Sequence, residues 1–393
     1  MKSLDQFMNK MMTSARLVQN KDVASATATI QQALAQAGLM PGQGLGQGQG
    51  QGQGAAPASK DAMAFVDINP APDWQAQLRK GQAAMRAAGV GVGIGIGLPQ
   101  DDDVAVVDDV AGGTFTAGVF SNAAGRRRYK LYIPSQPATT PRPLIVMLHG
   151  CTQNPDDFAL GTGMNRLAKE ANCLVLYPEQ DSASNRTQCW NWFESGHQAR
   201  DAGEPGIIAG LTRQIVKEHG ADPAQVFVAG MSAGGAMAAV LGAEYPDLFA
   251  AVGVHSGLPA GSGRDMITGL QAMKKPAKGR TLREAVPVIV FHGSTDHVVT
   301  PANGDAVLQQ YVGAHAGQHA APLSVRHDDA AHGGRRCRRS VWRDDAGRAM
   351  AEQWVVQGAG HAWAGGNAAG SHTDAAGPSA SKEMLRFFLG TKR

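Results

Sequence analysis

The sequence predicts an α/β fold built on a mostly parallel sheet of about eight strands, flanked by helices. Three observations carry this expectation. Short apolar runs between residues 114 and 358 alternate with stretches of helical length and periodicity. The central runs, PLIVMLHG at 143–150 and PVIVFHG at 287–293 among them, carry few polar residues, as strands covered on both faces do. One run, QVFVAG at 225–230, stops in a small-residue turn with Ser232 at its centre.

Taken in chain order, residues 1–40 read as a helical appendage. Leu4, Phe7, Met8, Met11, Ala15 and Val18 recur at helical spacing. Asp22 is placed to cap a second helix through Ala26, Ile30 and Leu34, with a stop at Gly38. Such a pair suits an oligomer contact or a docking element. Residues 41–112 read as a linker. GQGLGQGQGQGQG at 42–54 has almost no side chain to bury, and GVGVGIGIGL at 89–98 alternates glycine with β-branched residues before an acidic DDD at 101–103.

Residues 113–393 hold the sheet. The predicted strands are TFTAGVF (114–120), RRYKLYI (127–133), PLIVMLHG (143–150), CLVLYP (173–178), QVFVAG (225–230), AAVGVHS (250–256), PVIVFHG (287–293) and EQWVVQG (352–358). Helices are predicted over 163–171, 206–219, 233–245, 302–313 and 379–389. A leading hairpin, then alternating strand and helix, with a serine turn after the fifth strand, is the arrangement of the α/β-hydrolase fold.

Bulk properties narrow the function. At 393 residues and 43% apolar content the chain can bury a full core, and no apolar run approaches the roughly 18 residues of a membrane span. A formal net charge of +3 does not indicate a general nucleic-acid binder. The basic clusters Arg126–Arg127–Arg128 and RRCRR at 335–339 read as solvated loop or strand-edge charges. The stretch MKSLDQFMNKMMTSARLVQNKD lacks the apolar core of a secretory signal, which on sequence predicts a cytoplasmic protein. The four cysteines have neither zinc-site nor C-x-x-C spacing, so no metal or other cofactor is expected.

The chemistry centres on Gly230-Met231-Ser232-Ala233-Gly234, which fits the G-x-S-x-G nucleophile elbow. In a chain with 50 glycines the pattern alone says little, and its place at a strand end gives it weight. A serine hydroxyl needs a base, itself oriented by an acid, and in this fold the chain order is serine, acid, histidine. Asp296 follows the seventh strand in HGSTDHVV, and His361 follows the eighth in GHAWAGG. His292 and His297 compete as base, but His292, like His149, ends a strand where histidines tend to bond backbone. The oxyanion donors are expected from the backbone N–H of Ala233 and from Cys151 or Thr152 in the HGCTQN loop, with Cys151 preferred. Trp363, two residues from the base, and Trp190 are candidate substrate contacts, whereas Trp192 reads as packing.

At these residues the chain resembles the esterases related to polyhydroxybutyrate depolymerases and feruloyl esterases. The resemblance rests on HGCTQ at 149–153, CWNWF at 189–193, GMSAGGAM at 230–237, HGSTDHVV at 292–299 and GHAWAGG at 360–366, and it runs from about residue 125 to 390. It implies carboxylic-ester hydrolysis, of a poly(3-hydroxybutyrate)-type polyester, its oligomers or related acyl or feruloyl esters, with Ser232, Asp296 and His361 as the triad. Many members are extracellular, which the N-terminus here does not match. Cys151 and Cys189 follow the third and fourth strands at their C-terminal ends, and the resemblance implies a disulfide between the same pair. The expected partners are an ester substrate and a polymer surface, with no nucleic acid. A serine peptidase or acyltransferase on the same fold is the alternative enzyme, and a non-catalytic protein that coats a polyester surface is the alternative outside enzymes.

Overall fold

The computed structural model of the protein describes residues 107–108, 112–318, 321–332 and 334–391. The helical appendage expected over 1–40 and nearly all of the linker over 41–112 lie outside the described residues.

Among the described residues, eleven strands form one sheet. They are β1 (Val107–Asp108), β2 (Gly113–Asn122), β3 (Gly125–Pro134), β4 (Arg142–Leu148), β5 (Leu174–Pro178), β6 (Ala221–Met231), β7 (Ala251–His255), β8 (Val288–Gly293), β9 (Ser324–His332), β10 (Arg335–Arg343) and β11 (Ala349–Val356). Their order across the sheet is β1-β2-β3-β5-β4-β6-β7-β8-β11-β10-β9. The six strands from β5 to β11 in this order run parallel, with antiparallel strands added at both edges. All eight predicted strands are in the sheet. The exchange of β4 and β5 in the order, with β6 next to β4, is the doubly wound pattern of the α/β-hydrolase fold.

The α-helices of the described residues, numbered in chain order, are α1 (Pro155–Thr162), α2 (Met164–Ala171), α3 (Gly203–His219), α4 (Ala233–Glu244), α5 (Met266–Lys274), α6 (Ala302–Gln318) and α7 (Ala380–Leu389). They lie on two faces because side chains alternate along each buried strand. In β4, Leu144, Val146 and Leu148 point into one core with α3, α4 and α6. Ile145 and Met147 point into the other, with α1, α2 and α7. Both faces are covered, which is why the central strands read as unbroken apolar runs.

Four differences from the sequence reading have physical causes. Val107–Asp108 pair with β2, so the sheet begins inside the stretch read as linker. The hairpin of β9 and β10 is built from residues dominated by charge. Its outward arginines pair across the strands, as in Arg338–Asp329 at 3.1 Å, while Cys337 and Val341 face inward and are buried. Two basic residues read as solvated are not. Arg127 is buried and meets Glu204 at 3.2 Å, and Arg339 grips the buried Glu352 with two hydrogen bonds of 2.9 Å. Finally α1 and α5 were not predicted. Each is short, and each starts at a side-chain cap: Asn154 accepts from Asp157 N, and Asp265 forms a capping box with Thr268.

Candidate active site

β6 ends at Met231 and α4 begins at Ala233, so the chain turns over Ser232 alone. Ser232 has φ 55° and ψ −118°, a region that costs an L-residue energy and recurs at functional turns. Contact distances dictate the flanking glycines. A Cβ on Gly230 would lie 2.4 Å from the Gly234 backbone, and one on Gly234 would lie 2.1 Å from the Leu148 carbonyl oxygen. Ser232 is half-buried, and its hydroxyl makes no hydrogen bond to another described residue.

β6, β8 and β11 are parallel, so the loops leaving them meet on one edge of the sheet. Asp296 and His361 come together there, with His361 Nδ1 2.7 Å from Asp296 Oδ2. The other carboxylate oxygen accepts the N–H groups of Val298 and Val299, both at 2.9 Å. Burial by itself raises the carboxyl's pKa, but hydrogen bonds from His292 and His361 and the charge of His361 outweigh it and hold Asp296 ionised. An ionised Asp296 can only accept, so the His361 Nδ1 carries a proton toward it, and in the neutral ring Nε2 is the nitrogen left with the lone pair. His292 donates from Nε2 to Val299 O at 2.9 Å and is sealed in the core, while His297 is exposed.

The loop after β4 is fixed on several sides. His149 accepts the Gln180 N–H on Nε2 at 3.1 Å and donates from Nδ1 to Gly150 O at 2.7 Å. Its burial lowers its pKa to about 4, so the ring is neutral. Trp190 Nε1 donates to His149 O at 3.1 Å. Cys151 and Cys189 are joined by a disulfide. The Thr152 N–H is committed to Thr187 O at 2.7 Å, and the Gly150 N–H to Gln153 Oε1 at 2.9 Å. The N–H groups of Cys151 and Ala233 have no acceptor among the described residues. Of the two candidates in the HGCTQN loop, Cys151 is thus the one whose amide is available.

Trp190 and Trp363 do not line the cavity beside Ser232, which corrects their reading as substrate contacts. Trp190 is fully buried under the loop it supports. Trp363 is sealed between Phe158 and His255, with Nε1 bonded to Ser381 Oγ at 3.0 Å. The aromatic wall comes instead from Trp192 and Phe193. Sequence reasoning also missed Gln153. Besides holding Gly150, it donates to Asp157 and Ser371, and so ties the loop after β4 to the segment that follows His361. A glutamine carries no signal of that role, because its partner lies more than two hundred residues away.

The cavity at Ser232 is about 590 Å³ in volume. One wall is apolar, formed by Trp192, Phe193, Leu258 and, from α5, Met266, Leu270 and Met273. Asn185, Arg186 and Thr187 also line the cavity. Glu204, buried at the base of this segment, accepts from Asn191 N at 2.7 Å and from Asn191 Nδ2 at 2.8 Å, and so anchors the CWNWF stretch that bears the aromatic wall.

Comparison with known proteins gives a consistent picture. The family model described as esterase PHB depolymerase matches residues 127–327. The chain is 30% identical over 257 residues to a poly(3-hydroxyalkanoate) depolymerase C of Paucimonas lemoignei, covering 62% of this chain and 60% of the relative. It is 27% identical over 226 residues to a probable acetylxylan esterase A of Aspergillus fumigatus, covering 52% of this chain and 60% of that one. The chain thus spans about 60% of the length of each relative. Among solved structures, an acetyl xylan esterase from Aspergillus awamori has the same fold, with a TM-score of 0.54 at 20% identity, over 74% of this chain and 100% of that one.

Proposed function

The chain belongs to the esterase PHB depolymerase family, and from that premise we propose that it is a serine hydrolase of carboxylic esters, working through Ser232, His361 and Asp296. The observation that carries the reading is the short bond from His361 to an ionised Asp296 on the same sheet edge as the Ser232 turn. His361 Nε2 takes the Ser232 proton as Oγ attacks the ester carbonyl carbon. The oxyanion forms against the free N–H groups of Cys151 and Ala233. Collapse breaks the C–O bond, and the leaving alcohol takes the proton from His361. Water then repeats the sequence on the acyl-enzyme and releases the acid. The serine side chain turns toward His361 as substrate binds, since catalytic hydrogen bonds tighten in the complex.

The proposed substrate is a hydroxyalkanoate polyester, its oligomers or a related acyl or aryl ester. The apolar wall of Trp192, Phe193, Leu258, Met266, Leu270 and Met273 supports a flexible apolar chain as the part of the substrate that lies along it. The test is a panel of p-nitrophenyl esters of graded chain length, a hydroxybutyrate oligomer, methyl ferulate and acetylated xylan. The account predicts turnover of the oligomer and longer esters above the xylan, and loss of about 10⁴-fold or more in kcat on Ser232→Ala. Near-normal turnover by Ser232→Ala ends the serine-esterase reading, and a preference for acetylated xylan ends the polyester one.

A further inference from the structure

His255 ends β7 directly beside the elbow, and nothing in the proposed chemistry uses it. Its carbonyl oxygen accepts the N–H of Ser232 at 2.9 Å. Its ring reaches the other way, and Nε2 accepts the N–H of Ala364 at 3.0 Å. Ala364 lies three residues beyond His361. Upstream, Ala359 O is held by the Thr295 N–H at 3.0 Å and the Thr295 hydroxyl at 2.9 Å, next to Asp296. The base thus stands between two anchors, one set by the neighbour of the acid and one by the neighbour of the nucleophile.

We infer that His255 is a positioning residue that locks the His361 loop to the Ser232 turn. This rests on the serine-esterase reading. The ring is suited to the task because it is held in one state. Nε2 must carry the lone pair that receives Ala364 N–H, so the single ring proton sits on Nδ1, where Ser256 Oγ lies at 3.1 Å. Burial, with the nearby His292 and His361, lowers its pKa to about 3, so the acceptor persists at any working pH. Its plane is fixed by stacking on Trp363 at 4.9 Å and on Phe291 at 5.8 Å. Trp363 therefore acts on the site through His255 and not by touching substrate. A lysine or a solvated histidine would offer no such fixed acceptor.

The test compares three replacements of one ring. His255→Phe keeps the stacking but removes the acceptor. His255→Asn keeps a polar amide near Nδ1 but does not reach Ala364, while His255→Gln places an acceptor near Nε2. In folded protein, checked by near-UV circular dichroism and the unfolding midpoint, Phe and Asn are expected to lower kcat by about 10²-fold, the cost of misplacing a catalytic group by about 1 Å, with KM changed by less than about threefold. Gln is expected to recover most of the loss. If Phe does not fold, the Asn–Gln comparison decides alone. Wild-type kcat in His255→Asn, or a loss in Gln as deep as in Asn, overturns the inference while leaving Ser232-dependent turnover intact. Turnover that survives Ser232→Ala overturns the esterase reading and the inference with it.

Discussion

His149 and His255 share a property that decides how this protein meets acid: both rings are fully buried and neutral, with pKa values pushed down to about 4 and about 3. In the unfolded chain each returns to about 6.5. Between the folded and unfolded values the unfolded chain binds more protons, so stability rises with pH and is withdrawn as pH falls from about 6.5 toward 4. At about 1.4 kcal/mol per pKa unit the two rings together remove several kcal/mol by about pH 4. Urea unfolding at steps from pH 7 to 4 is expected to show this decline, with a shallower slope in His255→Gln. A flat profile across that range contradicts the buried, neutral state of both rings. Residues differ in how well the sequence announces them. Ser232 lies in a local pattern, and Asp296 and His361 lie at strand ends that the alternation of elements marks. His255 and Gln153 carry no local mark, since their meaning is a contact with a distant segment. The pairing of Trp363 with His255 was hidden for the same reason, and nearness in sequence to His361 suggested a pocket wall where the fold packs a core.

Among the elements, α5 is the one whose exposure calls for a role. Met266, Ile267 and Leu270 are 62%, 58% and 59% exposed, and Met266 and Leu270 also line the Ser232 cavity. On the proposed function this face holds the part of the substrate beyond the scissile ester. Burying a large apolar side chain contributes about 1.5–3 kcal/mol. The double variant Met266→Ser, Leu270→Ser is therefore expected to lower kcat/KM on a hydroxybutyrate oligomer about tenfold more than on p-nitrophenyl acetate. Equal losses on the two substrates contradict a role for α5 in holding the chain. The helix escaped the sequence reading because Gly269 interrupts a short segment, although its Asp265–Thr268 capping box was a usable start signal. The β9–β10 hairpin escaped because its strand alternation is written in arginine and aspartate. Charge pairs across strands serve a sheet edge as well as apolar pairs do, but they read as a loop.

For the whole molecule, the fold explains the site. Cys151, Ser232, Asp296 and His361 leave β4, β6, β8 and β11, which are all parallel, so four distant segments share one edge. This was the most legible level, because unbroken apolar runs separated by helical stretches specify a parallel sheet before any residue is given a role. The described part of the chain also contains no helix long and apolar enough to cross a membrane. Substrate class was less legible, since it depends on which side chains α5 and the CWNWF stretch turn toward the cavity. The central claim is that one serine, activated at this edge, is the nucleophile. It is tested most directly by reacting the full chain with a fluorophosphonate and mapping the adduct by mass spectrometry. The account predicts one label per chain, on Ser232, with ester turnover lost in step and no labelling of Ser232→Ala. Complete inhibition with the label on another residue, or full turnover with Ser232 labelled, would contradict it.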